Sequence, residues 1–160
     1  IQEAVKEACE GFVKTRITEG ENLKKDLLHK LDHMEELVGF IEERSPKIVS
    51  EYRKKLEDKM AEVLADTSID ESRIAAEVIL YADKICVDEE TVRLRSHITH
   101  ARQCLSEDGG IGRKLDFIAQ EMNREANTTL SKANDIEISN AAIDLKTEIE
   151  KVREQIQNIE

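Results

Sequence analysis

The chain has 160 residues, of which 37% are charged and only 3% aromatic, and its formal net charge is −11. One Pro, no Trp and few aromatics favour long helices over a β-sandwich or barrel. The negative charge argues against a general nucleic-acid binder, and the short apolar runs argue against a membrane span.

Apolar residues recur at helical spacing along the chain, which predicts an all-α fold. A first helix covers residues 1–14, and because Ile1 already lies within it we expect a fragment of a longer protein. A long amphipathic helix follows from Leu23 and ends at the sequence RSPK. Ser45 is expected to cap the next helix, with Pro46 in its first turn. These segments make residues 1–66 a predicted N-terminal long-helix portion.

Residues 67–160 form the second predicted portion, a C-terminal catalytic and oligomerisation region. Ser68 and Glu71 have capping-box spacing, Asp88 is expected to cap another helix, and SEDGGIG is a flexible loop without the context of a phosphate-binding loop. The last helix carries apolar residues in regular heptads from residue 138 to 159, which suits a coiled-coil hairpin or an oligomer contact. We therefore expect helical hairpins or a bundle with coiled-coil-like oligomer contacts.

The cysteines and the charge distribution add two expectations. Cys9, Cys86 and Cys104 fit no zinc or disulfide spacing, which predicts reduced thiols in the cytoplasm. Residues 91–132 contain seven Arg or Lys and five Asp or Glu, a balance of +2, so the rest of the chain carries −13. A positive segment in a negative chain is a candidate surface for a phosphate-bearing partner.

Residues 112–135, GRKLDFIAQEMNREANTTLSKAND, read as a helix with polar groups on nearly every side. On a wheel at 100° per residue, the apolar face contains Leu115, Ile118, Ala119, Met122 and Ala126. One flank carries Lys114, Glu121 and Glu125. The other flank carries Asp116, Asn123 and Asn127. Arg124 and Phe117 lie opposite the apolar face.

Two interpretations of this helix remain open. Glu121 and Glu125 at i and i+4 project together and can share a divalent cation, with Lys114 nearby to attract phosphate. Alternatively, both carboxylates are solvated and Lys114 pairs with Glu121 or a neighbour.

The preceding helix carries a polar stripe beside its apolar one. A histidine there, flanked by arginine and glutamate, suits an acid, a base or a metal ligand. The plainer alternative is a boundary histidine paired with Glu90 or with a carbonyl. A zinc site on His97 and His100 is weakly supported because no HExxH motif is present, and a metal site on His29 and His33 has no supporting residues. The stripe contains Glu90, Arg93, His97, His100 and Cys104.

The sequence resembles the YicC-like family of bacterial proteins (the YicC and YloC endoribonucleases) in its C-terminal part. The matching stretches are DKICVDEETVRLRSHI (83–98), GRKLDFIAQEMNREANT (112–128) followed by SK (131–132), LKTEIEKVREQIQNIE (145–160) and RITEGENLKKDL (16–27). The resemblance covers essentially all 160 residues, and we expect the family's N-terminal domain to lie outside this sequence. Where the family usually has Asp, this chain has Cys86.

The resemblance implies an endoribonuclease that cuts single-stranded regions of RNA, depends on a divalent metal (Mn or Mg), and assembles as a homo-oligomer, expected to be a hexamer. The residues expected to carry the chemistry are His97, Glu121, Glu125 and Asp116. The expected metal ligands are Glu121, Glu125 and His97. The residues expected to bind RNA are Arg93, Arg113, Lys114, Arg124, Asn123 and Lys132.

A second class of function stays open. In it, the chain is an oligomerising helical scaffold of an RNA-binding protein, and the missing N-terminal domain does the cutting or captures the substrate. The heptads of the last helix favour this scaffold, whereas the cluster of acids, histidine and arginines favours catalysis.

Overall fold

The computed structural model of the chain describes residues 2–63, 71–107 and 109–159. These residues form α1 (Gln2–Val63), α2 (Glu71–Ile85), α3 (Asp88–Cys104), α4 (Gly112–Lys132) and α5 (Ile136–Ile156). No strand occurs in the described ranges, so the all-α prediction is confirmed. Ser68 of the predicted capping box lies outside them. Among the described helices, none is both long and apolar enough to cross a membrane.

The middle of α1 packs with α3, α4 and α5 as a four-helix bundle. The predicted apolar faces of α4 and α5 are both buried in it. The heptad stripe of α5 is covered by helices of its own chain, so the hairpin alternative describes it and the stripe itself is not an open oligomer surface. The core takes these residues from successive helices: Leu27, Leu31, Met34, Val38, Leu94, Ile98, Leu115, Ile118, Met122, Leu145 and Ile149.

The predicted helix breaks within residues 1–63 are wrong, because α1 is continuous for 62 residues, about 90 Å. Pro46 lies inside α1, where a proline costs about 3 kcal/mol or more. Burial of Ile41 and Ile48 on either side offsets this cost. Arg44 also pairs with Glu51 across the proline, over 2.6 Å. Tertiary contacts therefore overcome the local signal.

The Arg44 guanidinium also ties α1 to the start of α5. It donates to Asp135 over 2.8 Å and pairs with Glu137 over 2.7 Å. Asp135 is the N-cap of α5 and accepts hydrogen bonds from the amides of Glu137 and Ile138. The predicted cap at Asp88 is wrong, since that residue is already in α3 and Val87 precedes it without a side-chain cap.

The two ends of α1 extend beyond the bundle. Residues 2–22 are exposed throughout, and their apolar side chains include Phe12 and Ile17. At the other end, α2 packs against α1, where the rings of Tyr52 and Tyr81 stack with centroids 3.7 Å apart. Within the bundle, polar side chains of α3 and α4 meet along the seam between these two helices.

Candidate metal centre

Helices α3 and α4 run antiparallel, because Glu90 at the start of α3 contacts Lys132 at the end of α4. Burying the apolar face of α4 in the bundle turns one of its polar flanks toward α3 and the other toward α5. Glu125 lies on the first flank, where it meets Arg93 of α3. Asp116 lies on the second flank, where it meets Arg153 of α5.

His97, Glu121 and Glu125 come together on the α3 side of this seam. One ligand atom from each side chain lies within 4.8 Å of the other two. Two ligands on opposite sides of an ion, each at about 2.0–2.2 Å from it, are about 4.0–4.4 Å apart, so this spacing is on the scale of a shared cation. In the described residues no other group of three or more such side chains reaches this spacing.

The three side chains differ in exposure. The Glu125 side chain is 2% exposed and that of Glu121 is 26% exposed, while His97 is half-buried. Packing therefore fixes Glu125, and Glu121 lies at the edge where a cation or substrate would enter. A buried carboxylate in this position requires a compensating positive group.

Two arginines supply that positive charge. Nη2 of Arg124 lies 2.9 Å from Glu121 and 3.1 Å from Glu125, so one nitrogen bridges both carboxylates. Nη1 of Arg93 lies 3.6 Å from the same Glu125 oxygen, and its guanidinium is also held by Glu89 one turn earlier in α3. Both arginines are substantially exposed, so each also faces solvent at the mouth of the cluster.

The other residues expected to bind RNA are distributed differently. Arg113 is exposed at the start of α4. Lys114 pairs with Glu107 over 2.6 Å rather than with Glu121, and this hydrogen bond raises the pKa of the ammonium. Asn123 lines a groove on the α5 side.

Asp116 and the remaining histidines are not brought to the cluster. Asp116 accepts a hydrogen bond from Gln120 over 2.6 Å and lies 3.5 Å from Arg153. His100 is exposed one turn beyond His97. His33 pairs with Glu36 over 3.4 Å in α1, and His29 joins no candidate metal cluster in the described part of the chain.

Sequence reasoning missed the direct contact of Arg124 with both glutamates. The available signal was the i, i+3 spacing of Glu121 and Arg124, which commonly gives an ion pair on a helix. It also missed that Glu90 is buried against Lys132 rather than facing His97. Cys86, at the position where an Asp was expected, is exposed and outside the cluster.

The comparisons with known proteins agree with the sequence resemblance. A family model described as "Endoribonuclease YicC-like, C-terminal" matches residues 41–160. The chain belongs to the YicC-like family. The matched segment of this YicC-like chain contains the three clustered side chains and both arginines that contact them.

Two relatives of this YicC-like chain are both named "Probable endoribonuclease YicC". The one from Clostridioides difficile is 45% identical over 161 residues, which cover 100% of this chain and 55% of the relative. The one from Haemophilus influenzae is 37% identical over 149 residues, covering 93% of this chain and 51% of the relative. The chain thus spans about half the length of the curated relatives it matches.

Proposed function

We propose that this chain is the part of an endoribonuclease that holds a divalent cation, Mn²⁺ or Mg²⁺, and cuts single-stranded regions of RNA. The observation that carries the proposal is the convergence of His97, Glu121 and Glu125 from two helices. The endoribonuclease activity in the names of the two relatives supports RNA as the substrate.

The cluster fits a divalent cation in two respects. Its donors are two carboxylates and one imidazole, a set that suits Mn²⁺. In addition, a guanidinium nitrogen already bridges Glu121 and Glu125, so a positive group is stable between these oxygens. The same two carboxylates would be mutually repulsive without a cation.

In the proposed mechanism, His97 from α3 and Glu125 from α4 provide two ligands on facing sides of the seam. Glu121, which is more exposed than Glu125, provides the third ligand at the solvent side. A bound divalent cation supplies a water of lowered pKa and stabilises negative charge on the phosphate. Arg93 contacts Glu125 at this point, whereas Arg113 is exposed at the start of α4, about two turns before Glu121. Both are proposed to bind phosphate oxygens of the RNA. Phe117, exposed on α4, offers the one aromatic surface of that helix for stacking with a base.

Asp116 is assigned a different role from the one expected from sequence. Because it contacts Gln120 and Arg153, we propose that it positions α5 against α4 and takes no direct part in the chemistry. Lys114 and Lys132 each carry a carboxylate partner, so we propose weaker contributions to RNA binding than from Arg113.

The proposal is tested by titrating the protein with Mn²⁺ and following free Mn²⁺ by electron paramagnetic resonance. Glu121→Gln combined with Glu125→Gln, and separately His97→Ala, should abolish or strongly weaken one binding site. Glu57→Gln is the matched control, because Glu57 is an exposed helical carboxylate that also pairs with an arginine. Mn²⁺ binding that is unchanged in the double variant contradicts the proposal. An anomalous-scattering map after a manganese soak would identify the ligands directly.

The scaffold alternative keeps one supporting observation. Apolar side chains are exposed on residues 2–22, among them Val5, Phe12, Val13 and Ile17, and they suit contact with another subunit in a homo-oligomer such as a hexamer. Under this alternative the RNA chemistry depends on the part of the relatives that the chain does not span, and the Mn²⁺ titration shows no site. We place the protein in the cytoplasm on the basis of its unpaired cysteines.

A further inference from the structure

We infer that Arg124 occupies the cation site from within the protein: it bridges Glu121 and Glu125 while they lack a cation, and it is released to bind an RNA phosphate when they ligate one. This inference rests on the proposed function, because it assigns the means by which metal and RNA binding at that site depend on each other.

The geometry makes Arg124 a competitor for the carboxylate oxygens. A single nitrogen of its guanidinium lies within hydrogen-bond distance of both Glu121 and Glu125. A cation ligated by those oxygens would be close to that nitrogen, and the two positive charges would repel each other. Arg124 and a divalent cation therefore exclude each other from the bridging position.

The Arg124 side chain can also leave this position more readily than the side chains that it contacts. Its side chain is 63% exposed, whereas that of Glu125 is 2% exposed and held in the core. A rotation of Arg124 into solvent breaks no apolar contact of the bundle, since it lies opposite the buried face of α4. Glu125 stays in place, ready to act as a ligand.

Once released, the Arg124 guanidinium stands beside the cation site with all its donors available. Arginine binds phosphate oxygens with paired hydrogen bonds, and RNA positioned for cleavage brings a phosphate to this place. Cation binding thus adds a phosphate contact that the cation-free protein lacks. By thermodynamic linkage, RNA must then raise the affinity for the cation by the same factor.

The first test is an Mn²⁺ titration without RNA. Arg124→Ala should bind Mn²⁺ roughly tenfold more tightly than the unaltered protein, since charge-assisted hydrogen bonds to both carboxylates no longer compete. Arg53→Ala is the matched control, because Arg53 is 64% exposed and pairs with Glu57 over 2.9 Å far from the cluster in sequence. It should leave Mn²⁺ affinity unchanged. Equal or weaker Mn²⁺ binding by Arg124→Ala overturns the inference.

The second test measures the affinity for labelled single-stranded RNA with Mn²⁺ and with chelator, the RNA being checked for intact length afterwards. Mn²⁺ should tighten RNA binding by the unaltered protein and by Arg53→Ala, and by a clearly smaller factor for Arg124→Ala. The same tightening in all three proteins overturns the inference while leaving the proposed function standing. If the unaltered protein binds no Mn²⁺, or if its Mn²⁺ binding is unchanged in the Glu121→Gln, Glu125→Gln variant, both the inference and the proposed function are overturned.

Discussion

Lys132 near the end of α4 donates a hydrogen bond of 2.8 Å to Glu90 near the start of α3, whose side chain is almost completely buried. The other carboxylate oxygen of Glu90 is buried without a hydrogen-bond partner in the described structure. Glu90 therefore depends on Lys132 for its compensating charge. Since Arg93 and His97 lie one and two turns further along α3, this pair helps to set the register of the candidate metal centre.

Lys132→Met should lower the free energy of unfolding by about 1–3 kcal/mol, because it leaves the Glu90 carboxylate buried and uncompensated. The hydrogen bond to Glu90 raises the pKa of Lys132. The stabilisation that Lys132 gives the folded protein is thus fully present below the pKa of an unfolded lysine, about 10.4. It is lost as pH rises through the higher pKa that Lys132 has in the folded protein. Urea unfolding at pH 7, and again at a pH above the raised pKa of Lys132 in the folded protein, measures both effects.

Lys55→Met is the control for this pair, because Lys55 is an exposed lysine of α1 and should change stability by less than about 0.5 kcal/mol. Equal stability of the Lys132 and Lys55 variants at pH 7 would show that Glu90 finds compensation elsewhere.

Asp135→Ala should destabilise the protein at neutral pH by about 1–2 kcal/mol through loss of the α5 N-cap. In the unaltered protein, the Arg44 guanidinium and the amides at the start of α5 hold the pKa of the Asp135 carboxyl below its usual value. The ionised carboxylate therefore contributes stability above the unfolded pKa of about 3.9, and this contribution is lost as pH falls through the lower folded pKa. The deficit of the variant should accordingly shrink in urea melts below pH 3, whereas an exposed-site control, Asp144→Ala, should show little deficit at either pH. A deficit that stays constant into acid would contradict the role of the charge.

The sequence predicted the helical class and the apolar faces because spacing of three and four residues determines which side chains can share a core. It did not predict the continuity of α1. Pro46 is a strong local signal for a helix boundary, and the contacts that overcome it, such as Arg44 with Asp135, join residues 91 positions apart. The spacing of apolar residues within one helix does not indicate contacts between residues so far apart in the sequence.

The candidate site was predicted in part for a related reason. A helical wheel places Glu121 and Glu125 on one flank and Asp116 on the other, and the structure preserves this division. The wheel does not say which flank faces the helix that carries His97, because that depends on how the bundle is packed. The partner of Lys132 was likewise unpredictable, since it lies 42 residues away.

The products of RNA cleavage should carry 5′-phosphate and 3′-hydroxyl ends, as expected when an activated water attacks in line, and a chelator should abolish their formation. The Glu121→Gln, Glu125→Gln double variant should lose cleavage, with Glu57→Gln as the matched control. End mapping of labelled RNA tests this. Cyclic-phosphate ends that persist in chelator would instead identify His97 as a general base acting on the 2′-hydroxyl.

Arg113→Ala should weaken RNA binding and reduce the slope of log affinity against log salt by roughly 0.7 or less, the value for one phosphate contact on a single strand. Lys114→Ala should have a smaller effect, because Glu107 already pairs with that ammonium. Anisotropy titrations at several salt concentrations give both quantities. Equal losses from Lys54→Ala and Lys55→Ala, in a distant part of α1, would show that binding follows overall charge rather than this surface.

Association between chains should depend on the exposed apolar residues at the start of α1. Phe12→Asp and Ile17→Asp should lower the association constant in sedimentation equilibrium by about tenfold or more, because each places a charge on an apolar contact. Thr18→Asp, at an exposed polar position of the same helix, is the control for added charge. Unchanged association in all three variants would direct attention to other surfaces.

Because α1 is continuous, both the distance of residues 2–22 from the bundle and their orientation about the helix axis are fixed relative to the core. A helix turns about 100° and advances about 1.5 Å per residue, so inserting one residue near position 22 would swing the apolar side chains of the N-terminal stretch to a different azimuth relative to the core face. An insertion of seven residues would restore that azimuth to within about 20° while lengthening the helix by roughly 10 Å. Burial of Leu27 and Leu31 in the core therefore also determines the direction in which Phe12 and Ile17 point from α1.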